Sequence, residues 1–154
     1  MNPQTFKALL QEVTTDIGTR ALDADLQTWL NSHCGAGTPT YERIKAACQQ
    51  GVADGWLCQR EGGGIRYGRI FKADAELGGF SVDVVDMENI AGPHHTHPLG
   101  EIDLIMPLDA SATFDGHGAG WLVYGPGSAH PPTVAQGRAL VLYLLPQGQI
   151  EFTR

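Results

Sequence analysis

The sequence has few cysteines, few cations and no long apolar run, and each shortage removes a class of function. Its three cysteines, Cys34, Cys48 and Cys58, are odd in number and contain no CxxC pair. That argues against a disulfide framework and fits a reducing compartment. Ten Lys plus Arg face 17 Asp plus Glu, a formal net charge of −7, so neither nucleic acid nor an anionic membrane surface is the expected partner. The longest uninterrupted apolar stretch runs from Ala139 to Leu145, far short of the ~18 residues that suggest a bilayer span. Residues Met1 to Lys7 carry no basic stretch leading into an apolar core, so a cytoplasmic location is expected. Nucleotide motifs are missing too. Gly62-Gly63-Gly64 lacks the Lys-Ser/Thr of a P-loop and reads as a tight loop between two strands.

What is present suffices for one compact domain: 154 residues, 42% of them hydrophobic, with 20 glycines concentrated after Gly51. Up to about residue 55 the apolar positions recur at helical spacing, as in Phe6, Leu9, Leu10, Val13 and Ile17, then Leu22, Leu26, Trp29 and Leu30. Asp23 is placed to cap the second helix, and Thr38-Pro39 to open a third that Gly51 or Gly55 ends. Beyond it the apolar runs shorten: 56–60, 65–71, 80–85, 102–106, 119–124, 138–145 and 149–152 are strand-length, and glycine or proline separates most of them. The expected fold is mainly β, a small barrel or jelly roll over residues 56–154, with an α-helical N-terminal segment over 1–55 packed on it.

Metal-ligand residue types crowd together in one stretch, Gly92-Pro93-His94-His95-Thr96-His97-Pro98-Leu99-Gly100-Glu101. On an extended chain His95 and His97 share a face because side chains alternate, and Glu101 has the same parity after a short turn. A further histidine, His130, follows the turn Tyr124-Gly125-Pro126-Gly127 and is placed to close the site from another strand. Imidazoles with one carboxylate suit a divalent transition metal such as Fe, Mn or Zn. Asp103 shares the parity of Glu101 and reads as a supporting carboxylate rather than a fifth ligand.

Together these residues resemble the two motifs of the cupin superfamily, with His95, His97, Glu101 and His130 at the four ligand positions. The chain departs from the pattern where Asn89, Leu108 and Val134 replace two glycines and an asparagine, and where Pro126-Gly127 is one residue tighter. A closer likeness lies in the phrases Arg60 to Phe71, Gly79 to Asp86 and Gly92 to Pro98, which are similar to a small bacterial cupin family that includes 4-hydroxylaminobenzoate lyases. The resemblance implies a metal-dependent conversion of 4-hydroxylaminobenzoate and water to 3,4-dihydroxybenzoate and ammonia, with Glu101 taking a catalytic part; His94, next to the ligand His95 but of opposite parity, is a candidate catalytic proton shuttle. Such a substrate needs a cation, and Arg66 and Arg69 stand in a strand with Tyr67. A regular strand turns the two arginines to opposite faces unless a bulge at Gly68 intervenes. Tyr124, Trp121 and Tyr143 are candidates for an aromatic wall. Two other readings stay open: an Fe(II) cupin dioxygenase acting on an aromatic or thiol substrate, and a non-catalytic binding cupin. A homodimer is the expected assembly.

Overall fold

The computed structural model describes residues 1–153. Three helices come first, α1 (Pro3–Ile17), α2 (Ala24–Cys34) and α3 (Pro39–Asp54). Each begins where a side chain answers an orphan backbone N–H: Asn2 Oδ1 accepts from Thr5 at 2.9 Å, Asp23 Oδ1 from Leu26 at 2.9 Å, and Thr38 Oγ1 from Tyr41 at 3.4 Å. Gly55, at φ 83°, ends α3 in the left-handed conformation. Gly51 stays inside that helix because Leu57 folds back over it; a Cβ there would meet Leu57 Cδ1 at 2.7 Å. The same fold-back removes a strand expected from the sequence. The N–H groups of Trp56 and Leu57 both bond Gly51 O, at 3.0 and 3.1 Å, so residues 56–59 form a turn and pairing begins only at Arg60.

Ten strands follow: β1 (Arg60–Gly62), β2 (Ile65–Phe71), β3 (Phe80–Ala91), β4 (His95–His97), β5 (Glu101–Pro107), β6 (Thr113–Phe114), β7 (Gly120–Tyr124), β8 (Ser128–His130), β9 (Thr133–Pro146) and β10 (Glu151–Phe152). The β1–β2 hairpin turns through Gly63 and Gly64, at φ 59° and 85°, a pair of positive angles that glycine adopts without strain. All pairing among the described residues is antiparallel. One seven-stranded sheet runs β1-β2-β3-β9-β5-β7, with β6 also on β9, and a three-stranded sheet runs β10-β4-β8. The mainly β fold with N-terminal helices agrees with expectation, but the expected barrel is two sheets that do not join edge to edge among the described residues.

Alternation along the central strands separates two cores. Val82, Val84, Ile102, Leu104, Met106, Leu140, Leu142 and Leu144 face the helices and pack with Phe6, Leu10, Leu30 and Ile44. Val85, Met87, Ile105, Val141 and Tyr143 face the other way. The central strands are therefore apolar on both faces, each large aliphatic side chain contributing roughly 1.5–3 kcal/mol by burial. Helix α2 also covers the free edge of β7. Asn31 Oδ1 accepts from Trp121 N at 2.8 Å, its Nδ2 donates to Trp121 O at 3.0 Å, and Gln27 Oε1 accepts from Val123 N at 2.9 Å. These amides stand in for a neighbouring strand. Asn31→Ala strands the Trp121 backbone groups and is expected to lower stability by about 1–3 kcal/mol in denaturant unfolding; an unchanged midpoint would refute this account of the edge.

Candidate metal centre

The inner face of the sandwich carries the chemistry. On β4 the alternation sends His95 and His97 inward together, and antiparallel pairing sets His130 of β8 directly opposite His95. Gly100, at φ 92°, turns the chain into the larger sheet so that β5 begins on Glu101; a Cβ at Gly100 would strike Tyr124 O at 2.7 Å. The four donor atoms lie within 4.8 Å of one another. His97 Nε2 stands 3.1 Å from Glu101 Oε1, His95 Nε2 3.6 Å from the same oxygen, and His130 Nε2 3.6 Å from Oε2. The Nε2 atoms of His95 and His130 are 3.2 Å apart. All four side chains are buried, His97 and Glu101 completely.

Each imidazole is held from behind. His95 Nδ1 is 3.2 Å from Pro93 O, His97 Nδ1 2.9 Å from Ser128 Oγ, and His130 Nδ1 2.5 Å from Asp115 Oδ2. Asp115 is itself fixed by Tyr124 Oη at 2.5 Å and Thr133 N at 2.9 Å. Bonds at Nδ1 leave Nε2 turned toward the centre, the arrangement that hydrogen-bonding partners behind the ring impose on metal-binding histidines. Meanwhile His97 Nε2 and both Glu101 oxygens are buried without a protein hydrogen-bond partner. Orphaned polar atoms at such depth cost about 1–3 kcal/mol each, and a cation among them answers all at once. The set of three imidazoles and one carboxylate therefore fits a divalent ion such as Fe, Mn or Zn.

Burial raises the Glu101 carboxyl, but the closeness of His130, His95 and His97, and of Asp103, outweighs it and holds the group well below its usual range. Asp103 goes the other way. Complete burial, then the charge of Glu101, pushes its carboxyl well above the usual range. Burial lowers His130, yet Asp115 and Glu101 prevail and lift it to about 9. A group raised in the fold stabilises it fully below about 6.5, its ordinary value, and this contribution is lost as pH rises through about 9. A metal must displace that proton. Apparent metal affinity is thus expected to gain about tenfold per pH unit up to about 9 from His130 alone. Calorimetry in buffers of different ionisation enthalpy reads the released protons, and pH-independent binding with none released would contradict the assignment.

A cavity of about 850 Å³ opens between the sheets beside the cluster, with His95 in its wall together with Tyr67, Arg69, Asp83, Tyr143 and Phe152. The structure brings the four expected ligands together but distributes the other expected site residues differently. Tyr67 and Arg69 border the cavity, whereas Arg66 is exposed outside it. The β2–β3 register is regular through Gly68 and shifts only between Arg69 and Phe71, so no bulge turns both arginines inward. His94 points away from the cluster, its Nδ1 2.5 Å from Thr153 Oγ1. Tyr124 lies outside the cavity wall, against the rings of His130 and His97 at 4.6 and 5.5 Å. No sequence signal marks Asp115 or Ser128 as part of the site. Asp115 lies in a Phe-Asp-Gly-His turn at φ 50°, and only the β6–β9 pairing brings that turn behind His130.

Residues 8–152 match the profile of the PnbB family, 4-hydroxylaminobenzoate lyase. A protein of that name from Nocardioides sp. (strain LMS-CY) is 36% identical over 146 residues, covering 89% of this chain and 86% of the relative. Another of the same name from Pseudomonas putida is 33% identical over 150 residues, covering 86% and 85%. Among solved structures, an RmlC-like cupin protein from Ralstonia eutropha JMP134 aligns over 60% of this chain and 61% of its own, with a TM-score of 0.43 and 14% identity.

Proposed function

The chain belongs to the 4-hydroxylaminobenzoate lyase family, and from that premise we propose that it converts 4-hydroxylaminobenzoate and water to 3,4-dihydroxybenzoate and ammonia, with a divalent ion held by His95, His97, Glu101 and His130. The observation that supports this reading is the buried donor set, bonded from behind and unpartnered in front, with His95 reaching the wall of a cavity. The conversion consumes one water and transfers no electrons to an outside acceptor, so it calls for neither nicotinamide nor flavin. An ion in this site supplies Lewis acidity toward the hydroxylamine oxygen, easing N–O heterolysis.

The chain's own residues do the rest. Glu101 brings one fixed negative charge that offsets the ion's. Asp115, Ser128 and Pro93 O lock the imidazoles in their working orientation. Val85, Met87, Ile150 and Phe152 give the cavity apolar walls that hold an aromatic ring and keep bulk water from it. Tyr143, also in the wall, keeps its phenol proton because burial pushes the group well up, and serves as a neutral hydrogen-bond donor to a polar substituent. Anaerobic incubation with 4-hydroxylaminobenzoate is expected to give ammonia and 3,4-dihydroxybenzoate in equal amounts. Turnover that requires oxygen would replace this reading with the dioxygenase, and tight binding without turnover would replace it with a binding protein.

A further inference from the structure

Of the side chains that border the cavity, those carrying charge or metal-ligand chemistry are Arg60, Arg69, Asp83, His95 and the buried, uncharged thiol of Cys58, which donates to Val84 O. Arg69 is already committed. Its Nε donates to Asp83 Oδ1 at 2.7 Å, and its Nη2 to Asp83 Oδ2 and Gly148 O, both at 3.3 Å. Gly148 packs so closely that a Cβ there would meet Arg69 Nη1 at 2.8 Å. The pair is electrically neutral as a unit. Drawing Arg69 away toward an anion would leave the mostly buried Asp83 carboxylate without its cation, a costly exchange.

Arg60 is different. It opens β1, opposite Tyr67 in the β1–β2 register, and so stands beside a tyrosine that also borders the cavity. Among the described residues it takes part in no salt bridge and no side-chain hydrogen bond. With Arg69 and Asp83 cancelling, Arg60 supplies the cavity's uncompensated positive charge apart from any metal. A planar guanidinium on an exposed strand is suited to a carboxylate through two parallel bonds.

Building on the proposed lyase reaction, we propose that Arg60, rather than Arg66 or Arg69, anchors the carboxylate of the substrate and restricts the enzyme to anionic arylhydroxylamines. The aromatic ring then lies between the metal centre and the β1–β2 hairpin, with its charged end toward the hairpin. The Arg69–Asp83 pair is a structural brace between β2 and β3.

The test uses 4-aminobenzoate, which carries the carboxylate but has no N–O bond to cleave, and aniline as its uncharged counterpart. Arg60→Gln is expected to weaken 4-aminobenzoate binding about 10- to 100-fold in a calorimetric or NMR titration while leaving aniline binding and the thermal midpoint unchanged. Arg60→Lys keeps the charge without the fork and recovers part of the loss. In turnover, Arg60→Gln raises KM for 4-hydroxylaminobenzoate with little change in kcat and abolishes the preference over N-phenylhydroxylamine. Unchanged 4-aminobenzoate affinity in Arg60→Gln, an equal loss for aniline, or no saturable 4-aminobenzoate binding by the unaltered protein would each overturn the assignment. If 4-aminobenzoate binds through Arg60 but 4-hydroxylaminobenzoate yields no ammonia, the anchor stands and the proposed reaction falls.

Discussion

Replacing His97 with alanine is expected to abolish metal retention and ammonia release together while the sheets stay folded. His97 is completely buried, its Nε2 has no protein partner, and it lies nearest to Glu101, at 3.1 Å. Removing it deletes one of four donors and leaves a gap that water fills. The loss of metal affinity should exceed the roughly 10- to 100-fold that follows damage to a mere orienting partner. Elemental analysis after gel filtration should fall from one ion per chain toward none, and circular dichroism should keep its strand signature. Ile105→Val serves as the control: the site is equally buried and on the same face of β5 as Glu101, yet holds no donor, and its metal content should not change. Full metal occupancy in His97→Ala would remove His97 from the centre.

The second large effect is expected at a residue that never touches the ion. Asp115 accepts from His130 Nδ1 and Tyr124 Oη on one oxygen and from Thr133 N on the other. Asp115→Asn preserves shape but removes the charge, and one face of the new amide presents N–H groups where an acceptor was needed. Metal affinity and activity at limiting metal should drop about 10- to 100-fold, and excess metal should restore much of the activity, which it cannot do for His97→Ala. The pH dependence separates this from general damage. Against the opposing effect of burial, Asp115 leads the interactions that lift His130 to about 9, so in the variant the pH range over which metal uptake releases that proton should move down. Tyr124→Phe removes one of the three bonds to Asp115 and should fall between this variant and the unaltered protein. An Asp115→Asn protein with unchanged affinity and proton release would show that His130 needs no support.

The four-residue cluster was legible because its chemistry is local. His95 and His97 are two residues apart on a strand, and Glu101 follows after a glycine turn, so one parity rule sets three donors on one face. The helices were legible for a similar reason, since Asp23 and Thr38-Pro39 announce their starts. Strands β4, β6 and β8, of two or three residues each, are too short to generate a periodic signal, yet they carry or adjoin every part of the cluster except Glu101, which opens β5. Residues 56–59 misled because Trp56 and Leu57 are apolar in service of the end of α3, not of a strand. Parity already put Arg66 and Arg69 on opposite faces, and the regular register through Gly68 upholds it. What no local rule contained was partnership. That Asp83 neutralises Arg69 while Arg60 has no ion pair among the described residues follows from how β1, β2 and β3 align, and that Asp115 supports His130 follows from a contact across 15 residues.

If His95, His97, Glu101 and His130 form the working metal site of an ammonia-releasing lyase, ammonia release must follow metal occupancy. Chelator-stripped protein, titrated with Fe, Mn or Zn under argon while ammonia from 4-hydroxylaminobenzoate is followed, tests it most directly. No ammonia is expected before addition, and a linear rise that breaks at one ion per chain with the active metal. Full ammonia release from the stripped protein, or no release with any of the three ions at saturation, would contradict it.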